Sequence, residues 1–327
     1  MKRSGGLFEE IASLDNLLLA YCKARRGKQL APDVLEFGQH LDTKLASLRR
    51  GLLEGSLAIG NYHCFTVYDP KERVICAAPF RERVLHHAIM NLCESRFELF
   101  QIYDSYACRK GKGVYAALER ALRFSRTSDW FLKLDVRKYF DSVDQTILRG
   151  HLRGLFREKP LLGLIDRIIS SYQTAPGKGL PIGNLTSQFF ANHYLAMMDH
   201  YIKETLRVRR YVRYMDDFVL WDSNKEKLRE SAKQIADYLA ATLRLDLKTP
   251  CMNRCSRGMS FLGYRVFPRG LTLTRRSRDR FRRKMQWIES KLRNGEWSER
   301  QAADHALPLL AFVRHAQTLN FRRGVLA

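Results

Sequence analysis

The stretch RYMDDF, residues 213–218, sets Asp216 and Asp217 side by side between apolar flanks, RRYV before and FVLW after, that otherwise read as strand. Like charges this close repel. A bound dication reverses that cost, since Mg2+ prefers hard oxygen ligands and keeps positions open for water or phosphate. The pair therefore reads as metal ligands at a hairpin tip. Strand alternation points neighbouring side chains in opposite directions, so Asp216 is the expected stronger ligand unless the turn twists Asp217 inward. A two-ion site needs a further carboxylate able to bridge both ions. Asp135, which closes the short apolar run WFLKLD, is the natural supplier. If its strand lies beside the hairpin, one cation can activate a hydroxyl while the other steadies a departing pyrophosphate, which is in-line nucleotidyl transfer.

Such residues need elements to hold them. The helical spacing of Leu7, Phe8, Ile11, Leu14, Leu17, Leu18 and Tyr21 predicts an amphipathic N-terminal helix, with a second near HLDTKLASLRRGLLEG. HCFTVYDPKERVICAA reads as a hairpin with a basic tip, DPKE supplying the turn. PFRERVLHHAIMNLCESRFELF returns to helical spacing, and His86 and His87, without carboxylate company, read as structural. A strand ends at Asp135, and a helix is expected to begin around SVDQTILRGHL. Residues 160–178 carry a helical segment and the loop TAPGKG, SQFFANHYLAMMDHYIKETL is a long helix, and EKLRESAKQIADYLAATL is another. A strand pair is expected around LDLKT and MSFLGYRVF. Strands alternating with helices give an α+β class.

Composition says what these elements serve. A chain of 327 residues, 45% hydrophobic and 28% charged, can bury a substantial core in two or three lobes. Lys and Arg outnumber Asp and Glu by 57 to 34, and a formal charge of +23 calls for a polyanion, nucleic acid first. The basic residues gather after Pro268: nine lie between Arg275 and Arg293, against Asp279 and Glu289. Phe281, Met285, Ile288 and Leu292 give the same stretch a core-facing stripe, leaving a positive face suited to tracking phosphates. No uncharged run near 20 residues and no lipidation signal point to a membrane. Glu9, Glu10 and Asp15 interrupt the N-terminal apolar pattern, so a cytoplasmic start is expected. Seven scattered cysteines (22, 64, 76, 93, 108, 251, 255) read as reduced thiols. Cys251 and Cys255 lack a second Cys or His pair to complete a zinc site.

Residues 62–264 resemble the reverse transcriptase family from end to end. FLKLDVRKYFDSVD resembles its first catalytic motif, GLPIGNLTSQFFANHYL its nucleotide-binding helix motif and YMDD its second catalytic motif. LDLKTP and FLGY resemble the later palm and primer-grip motifs, in the family's order. The resemblance implies a right-hand polymerase: fingers at 1–128, a palm of antiparallel sheet and helices at 129–267 with a fingers insertion near 150–182, and a helical thumb at 268–327. It implies that Asp135, Asp216 and Asp217 bind two Mg2+ ions, Mn2+ being able to substitute, with help from the Val136 carbonyl. Phe140 stands at the steric-gate position, where its ring would clash with a 2′-hydroxyl. Lys71 and Arg73 resemble the basic residues that hold the triphosphate. Ile182, Gly183 and Gln188 fall in the nucleotide-binding motif, and Lys248 is a candidate proton donor to the leaving pyrophosphate. Arg275, Arg276, Arg280, Arg283 and Lys284 are the thumb residues expected to touch nucleic acid.

The middle motif narrows the resemblance. Many relatives read QGxxxSP where this chain has IGNLTSQ, a form resembling the reverse transcriptases of diversity-generating retroelements; FLGYRVFP, PFRERVLHHAI and HAQ have the same flavour. That subfamily copies a template-repeat RNA into cDNA with errors opposite adenine, diversifies a target gene, and works with a small, basic, oligomeric accessory protein. Its setting is the cytoplasm of a prokaryotic cell, host- or phage-encoded. Ile182, apolar where relatives have a hydrogen-bonding Gln, would hold the nucleotide less tightly. The alternatives are an intron- or retron-type reverse transcriptase of ordinary fidelity, and a non-catalytic RNA-binding splicing cofactor on the same fold.

Overall fold

The computed structural model describes residues 6–68 and 72–326, and it has the expected α+β character, helices combined with antiparallel sheets. The strands are β1 (His63–Val67), β2 (Arg73–Ala77), β3 (Trp130–Asp135), β4 (Arg210–Tyr214), β5 (Asp217–Asp222), β6 (Cys251–Arg254), β7 (Met259–Phe261), β8 (Tyr264–Phe267) and β9 (Gly270–Leu273). They make three sheets, of order β1-β2, β4-β5-β3-β6 and β7-β8-β9. The chain divides into two compact units and passes between them more than once. The first takes residues up to Tyr103, Val136–Leu206 and Ile235–Leu247; the second takes Asp104–Asp135, Arg207–Gln234 and Lys248 onward.

In the first unit, Ser13 caps the helix Leu14–Ala24, its hydroxyl accepting from the Asn16 N–H, and Leu17, Ala20, Tyr21 and Ala24 turn inward. Asn16 also donates to the Ala88 carbonyl at 3.1 Å, tying this helix to Phe80–Phe100. The β1-β2 hairpin corrects the cysteine expectation. Its register sets Cys64 opposite Cys76, and the two form a disulfide. Twelve residues of sequence separation conceal a pairing that only the hairpin register creates. The premise that His86 lacks carboxylate company is corrected, though not its structural reading: His86 Nε2 lies 3.5 Å from Glu82 Oε1, one helical turn away, and both side chains are buried.

In the second unit the four-stranded sheet packs one face into a core containing Phe131, Val212, Val219 and Trp221, with Phe261, Tyr264 and Val266 from the smaller sheet. Trp221 Nε1 donates to Ser125 Oγ at 3.0 Å, satisfying the indole inside this core. The turn between β7 and β8 is Leu262-Gly263, both at positive φ (49° and 87°), as a tight two-residue hairpin requires. The helix Arg275–Arg293 starts at Thr274, whose side chain accepts from the Ser277 N–H. Phe281 and Ile288 are buried along its stripe, whereas Leu292, expected inside, is 40% exposed. LDLKT does not form a strand: Leu247 makes only an isolated bridge to Val136, and the strand beside β3 is β6, beyond Pro250. Among the described residues no helix is long and apolar enough to cross a membrane.

Candidate active site

β3 and β5 run antiparallel with Asp135 directly across from Asp217, Lys133 across from Val219 and Phe131 across from Trp221. Cross-strand partners share a face, and alternation adds residues two apart. One face of the sheet therefore reads Phe131, Lys133, Asp135 along β3 and Trp221, Val219, Asp217 along β5. It is apolar over the core and ends in two carboxylates. Like charges directly opposite destabilise a sheet, so this pair has a cost that something must offset.

The turn carrying the third carboxylate is tight. Tyr214 pairs with Asp217, leaving Met215 and Asp216 as the corner. Met215 sits at φ 53°, a left-handed conformation that costs a residue with a Cβ about 1–2 kcal/mol. Arg213, wholly buried, braces it by donating Nη1 to the Met215 carbonyl at 3.1 Å. The same arginine's backbone N–H donates to the Asp104 carbonyl and its own carbonyl accepts from Tyr106, each at 3.0 Å. The corner is thus anchored on the segment leading to the helix Val114–Arg126.

Two lysines meet the carboxylates. Lys133 Nζ lies 2.9 Å from Asp217 Oδ2 and donates to the Ser260 carbonyl of β7 at 2.9 Å. Lys248 pairs with Asp135 Oδ1, and its backbone N–H donates to the Asp135 carbonyl at 2.9 Å. Burial pushes the Asp217 carboxyl up to about 6; Lys133 pulls it back, while the charges of Asp135 and Asp216 add to the rise. The three acids therefore feel one another. Among the described residues, no three His, Cys, Asp or Glu side chains are already gathered tightly enough to hold a cation. Asp135 and Asp217 each lean on a lysine instead. What fits a hard cation is Asp217 Oδ1, a buried oxygen without a hydrogen-bond partner, for which a divalent ion is an apt ligand.

Of the expected nucleotide residues, Arg73, Phe140, Ile182, Gly183 and Gln188 belong to the first unit and Lys248 to the second. The Ile182 carbonyl accepts from the Cys76 N–H at 2.8 Å, so the loop docks on β2, the strand that Arg73 opens, exposed. Asn184, 2% exposed, completes the joint: its Oδ1 accepts from Ala78 and its Nδ2 donates to the Cys76 carbonyl, each at 3.1 Å. Gly183 is at φ 115°, and a Cβ there would lie 2.9 Å from Ile75 Cγ2, so only glycine fits. Phe140, half-buried on the short helix Tyr139–Ser142, accepts at its carbonyl from the Leu180 N–H at 2.8 Å. Gln188 lies in the first turn of the helix Leu185–His200, and Val136 is buried. Lys71 lies outside the described residues.

Of the thumb residues, Arg275, Arg276, Arg280 and Arg283 are exposed and Lys284 is half-buried. Arg275 is 3.9 Å from Asp279. Sequence reasoning missed Lys133, Arg213 and Asn184. Lys133 was signalled by its spacing, two residues before Asp135 and so on the same strand face. The other two carry no comparable mark: Asn184 bonds backbone groups more than 100 residues away, and Arg213 bonds the Met215 carbonyl only because the turn brings it back.

The chain is similar to several known proteins. The chain is 20% identical over 217 residues to the putative COX1/OXI3 intron 1 protein of Saccharomyces cerevisiae, covering 63% of this chain and 26% of that protein. It is 21% identical over 212 residues to the group II intron-encoded protein LtrA of Lactococcus lactis, covering 59% and 35%. The chain thus spans about a quarter to a third of the length of these curated relatives. Among solved structures, apo telomerase from Candida tropicalis superimposes with a TM-score of 0.51 at 12% identity, over 66% of this chain and 48% of that one. The telomerase of the same species with a fragment of telomeric RNA gives 0.50 at 12% identity, over 78% and 53%. At such identity the likeness is one of fold. Residues 69–266 match the reverse transcriptase (RNA-dependent DNA polymerase) family, and with well over half its length inside that match the chain belongs to this family.

Proposed function

We propose that the protein is an RNA-directed DNA polymerase in which Asp135, Asp216 and Asp217 form the catalytic cluster. The observation that carries this reading is the register that sets Asp135 across from Asp217 with Asp216 in the adjoining turn. Two divalent ions, Mg2+ with Mn2+ as substitute, supply activation of the primer 3′-hydroxyl and stabilisation of the leaving pyrophosphate when bound. Asp217 would offer its unpartnered Oδ1, Asp135 a shared carboxylate and Val136 its carbonyl. Lys248, which pairs with Asp135, would give a proton to the leaving pyrophosphate once the carboxylate is otherwise engaged. Lys71 and Arg73 would hold the triphosphate, Phe140 would exclude a 2′-hydroxyl, and Ile182, Gly183 and Gln188 would bound the nucleotide. Arg275, Arg276, Arg280, Arg283 and Lys284 would track the phosphates of template and primer. In this reading 1–128 serve as fingers, 129–267 as palm and 268–327 as thumb. The decisive assay is incorporation of labelled deoxynucleotide on an RNA template. Asp216→Asn and Asp135→Asn are expected to abolish it while RNA binding persists; incorporation undiminished in both would sink the assignment.

We further propose the mutagenic, diversity-generating role, with template-repeat RNA, cDNA and a basic accessory protein as partners in a prokaryotic cytoplasm. Its support is the IGNLTSQ form of the motif, with Ile182 in place of a polar clamp. The intron-type alternative has its own support in the intron-encoded relatives. Sequencing cDNA separates the two. Errors concentrated opposite adenine, and reduced in Ile182→Gln, are expected for the first; a flat, low error spectrum would favour the second.

A further inference from the structure

Lys133 is tied at both ends. Its stem starts on β3 two residues before Asp135, which places it on the same face as both strand carboxylates. Its ammonium sits between Asp217 Oδ2 and the Ser260 carbonyl, 2.9 Å from each, and 5.9 Å from the centre of the Phe261 ring. β7, which carries both Ser260 and Phe261, belongs to the smaller sheet whose core residues pack with those of β3. The lysine therefore cannot swing away without leaving a main-chain carbonyl behind. Lys248 differs: its side chain is 42% exposed against 24% for Lys133.

This arrangement divides the Asp217 carboxylate. One oxygen is occupied by a fixed ammonium, and the other is buried with no partner. We infer that Lys133 is a positioning residue of the acidic cluster: anchored on Ser260, it holds Asp217 by Oδ2, leaves the buried Oδ1 without a partner, and by its fixed charge loosens the cluster's grip on divalent cations. The inference rests on the reading of this cluster as the cation site. A lysine serving only to join β3 to β7 would make the same two hydrogen bonds, but its charge would be irrelevant to cation affinity. A positive charge this close to a ligand oxygen opposes an incoming dication and favours its exchange. The same interaction keeps the carboxylate from turning to chelate with both oxygens.

Titration of the purified full chain with Mn2+ in the absence of nucleic acid, following free Mn2+ by its paramagnetic resonance signal, reads affinity independently of turnover. Wild type is expected to bind, and Asp217→Asn to bind much more weakly. Lys133→Met is expected to bind about tenfold tighter at low salt, the gain shrinking as KCl is raised. Lys133→Arg should stay within about twofold of wild type, since the charge is kept. At saturating Mg2+, Lys133→Met should show a lower turnover despite its tighter binding, a split that a purely structural tie does not produce. Near-ultraviolet circular dichroism confirms folding, and Lys133→Gln serves if the methionine variant does not fold. Unchanged or weaker Mn2+ binding in a folded, charge-removed variant overturns the inference alone. Absence of binding by wild type overturns the cation-site reading together with it.

Discussion

Asp217 is a carboxylate placed where burial works against its charge. Its pKa near 6, against about 4 in an unfolded chain, means that the unfolded state loses its proton first as pH rises. Without cations, this group's contribution makes folding less favourable between about pH 4 and pH 6, and the deficit persists above that window. Asp217→Asn removes the titration. In EDTA, the stability of this variant relative to wild type should therefore be higher at pH 8 than at pH 4, by roughly 2–3 kcal/mol, the free energy that a pKa raised this far represents. Urea melts at both pH values measure the difference, and an equal offset at both would remove burial as the source of the strain. The acidic residues were legible because YMDD stands with four other motifs in the family's order; a DD pair alone reads equally as a solvated turn. Their lysine partner was legible only in part: spacing puts Lys133 on the strand face of Asp135, but its tie to the Ser260 carbonyl depends on β7 passing beside it.

At the scale of elements, the helix Gln145–Leu155 shows how a local signal and a distant one combine. Asp144 caps it by accepting from the N–H groups of Thr146 (2.9 Å) and Ile147 (3.0 Å), and Arg244 adds an ion pair at 2.8 Å. Burial opposes the charge of Asp144, but the Ile147 N–H, Arg244 and the Thr146 N–H outweigh it and hold the carboxyl below its ordinary value. Its stabilising effect is thus present above the unfolded pKa and lost as pH falls through the lower, folded one. Asp144→Ala is expected to cost about 2 kcal/mol at pH 7, as loss of a good cap does, and Asp144→Asn distinctly less because the cap survives. Chemical denaturation of both variants tests this; equal losses would assign the whole effect to Arg244. SVDQ announced the helix start in the sequence, but the ion pair depended on a chain segment 100 residues away. The same limit explains the disulfide between Cys64 and Cys76 and the strand misplaced at LDLKT. In each case a partner strand, and not local composition, decides.

At the scale of the whole molecule, a formal charge of +23 favours a polyanion as the partner to test, with a binding constant governed by salt. If the helix Arg275–Arg293 lies along the phosphates, changing Arg275, Arg276, Arg280, Arg283 and Lys284 together to Gln should weaken RNA binding. It should also flatten the plot of log affinity against log salt by about 0.7–0.9 for every phosphate that is no longer neutralised. Filter binding across a KCl series would show it, and an unaltered slope would move the nucleic acid off this helix. Its exposed arginines above a buried Phe281 and Ile288 were foreseeable from spacing alone.

Residue type and short spacing alone fixed chemistry and class: which acidic residues repel one another side by side, which faces are apolar, and which family's motifs run in order. These are properties of residue type and short spacing, and they survive without coordinates. Tertiary structure decided the rest: that Asp217, and not the turn residue, lies across from Asp135, that a buried arginine braces the Met215 corner, and that lysines from β3 and from beyond Leu247 neutralise the acids. Those facts depend on strand register and on the meeting of remote segments, and register is a global choice that one strand's sequence does not contain.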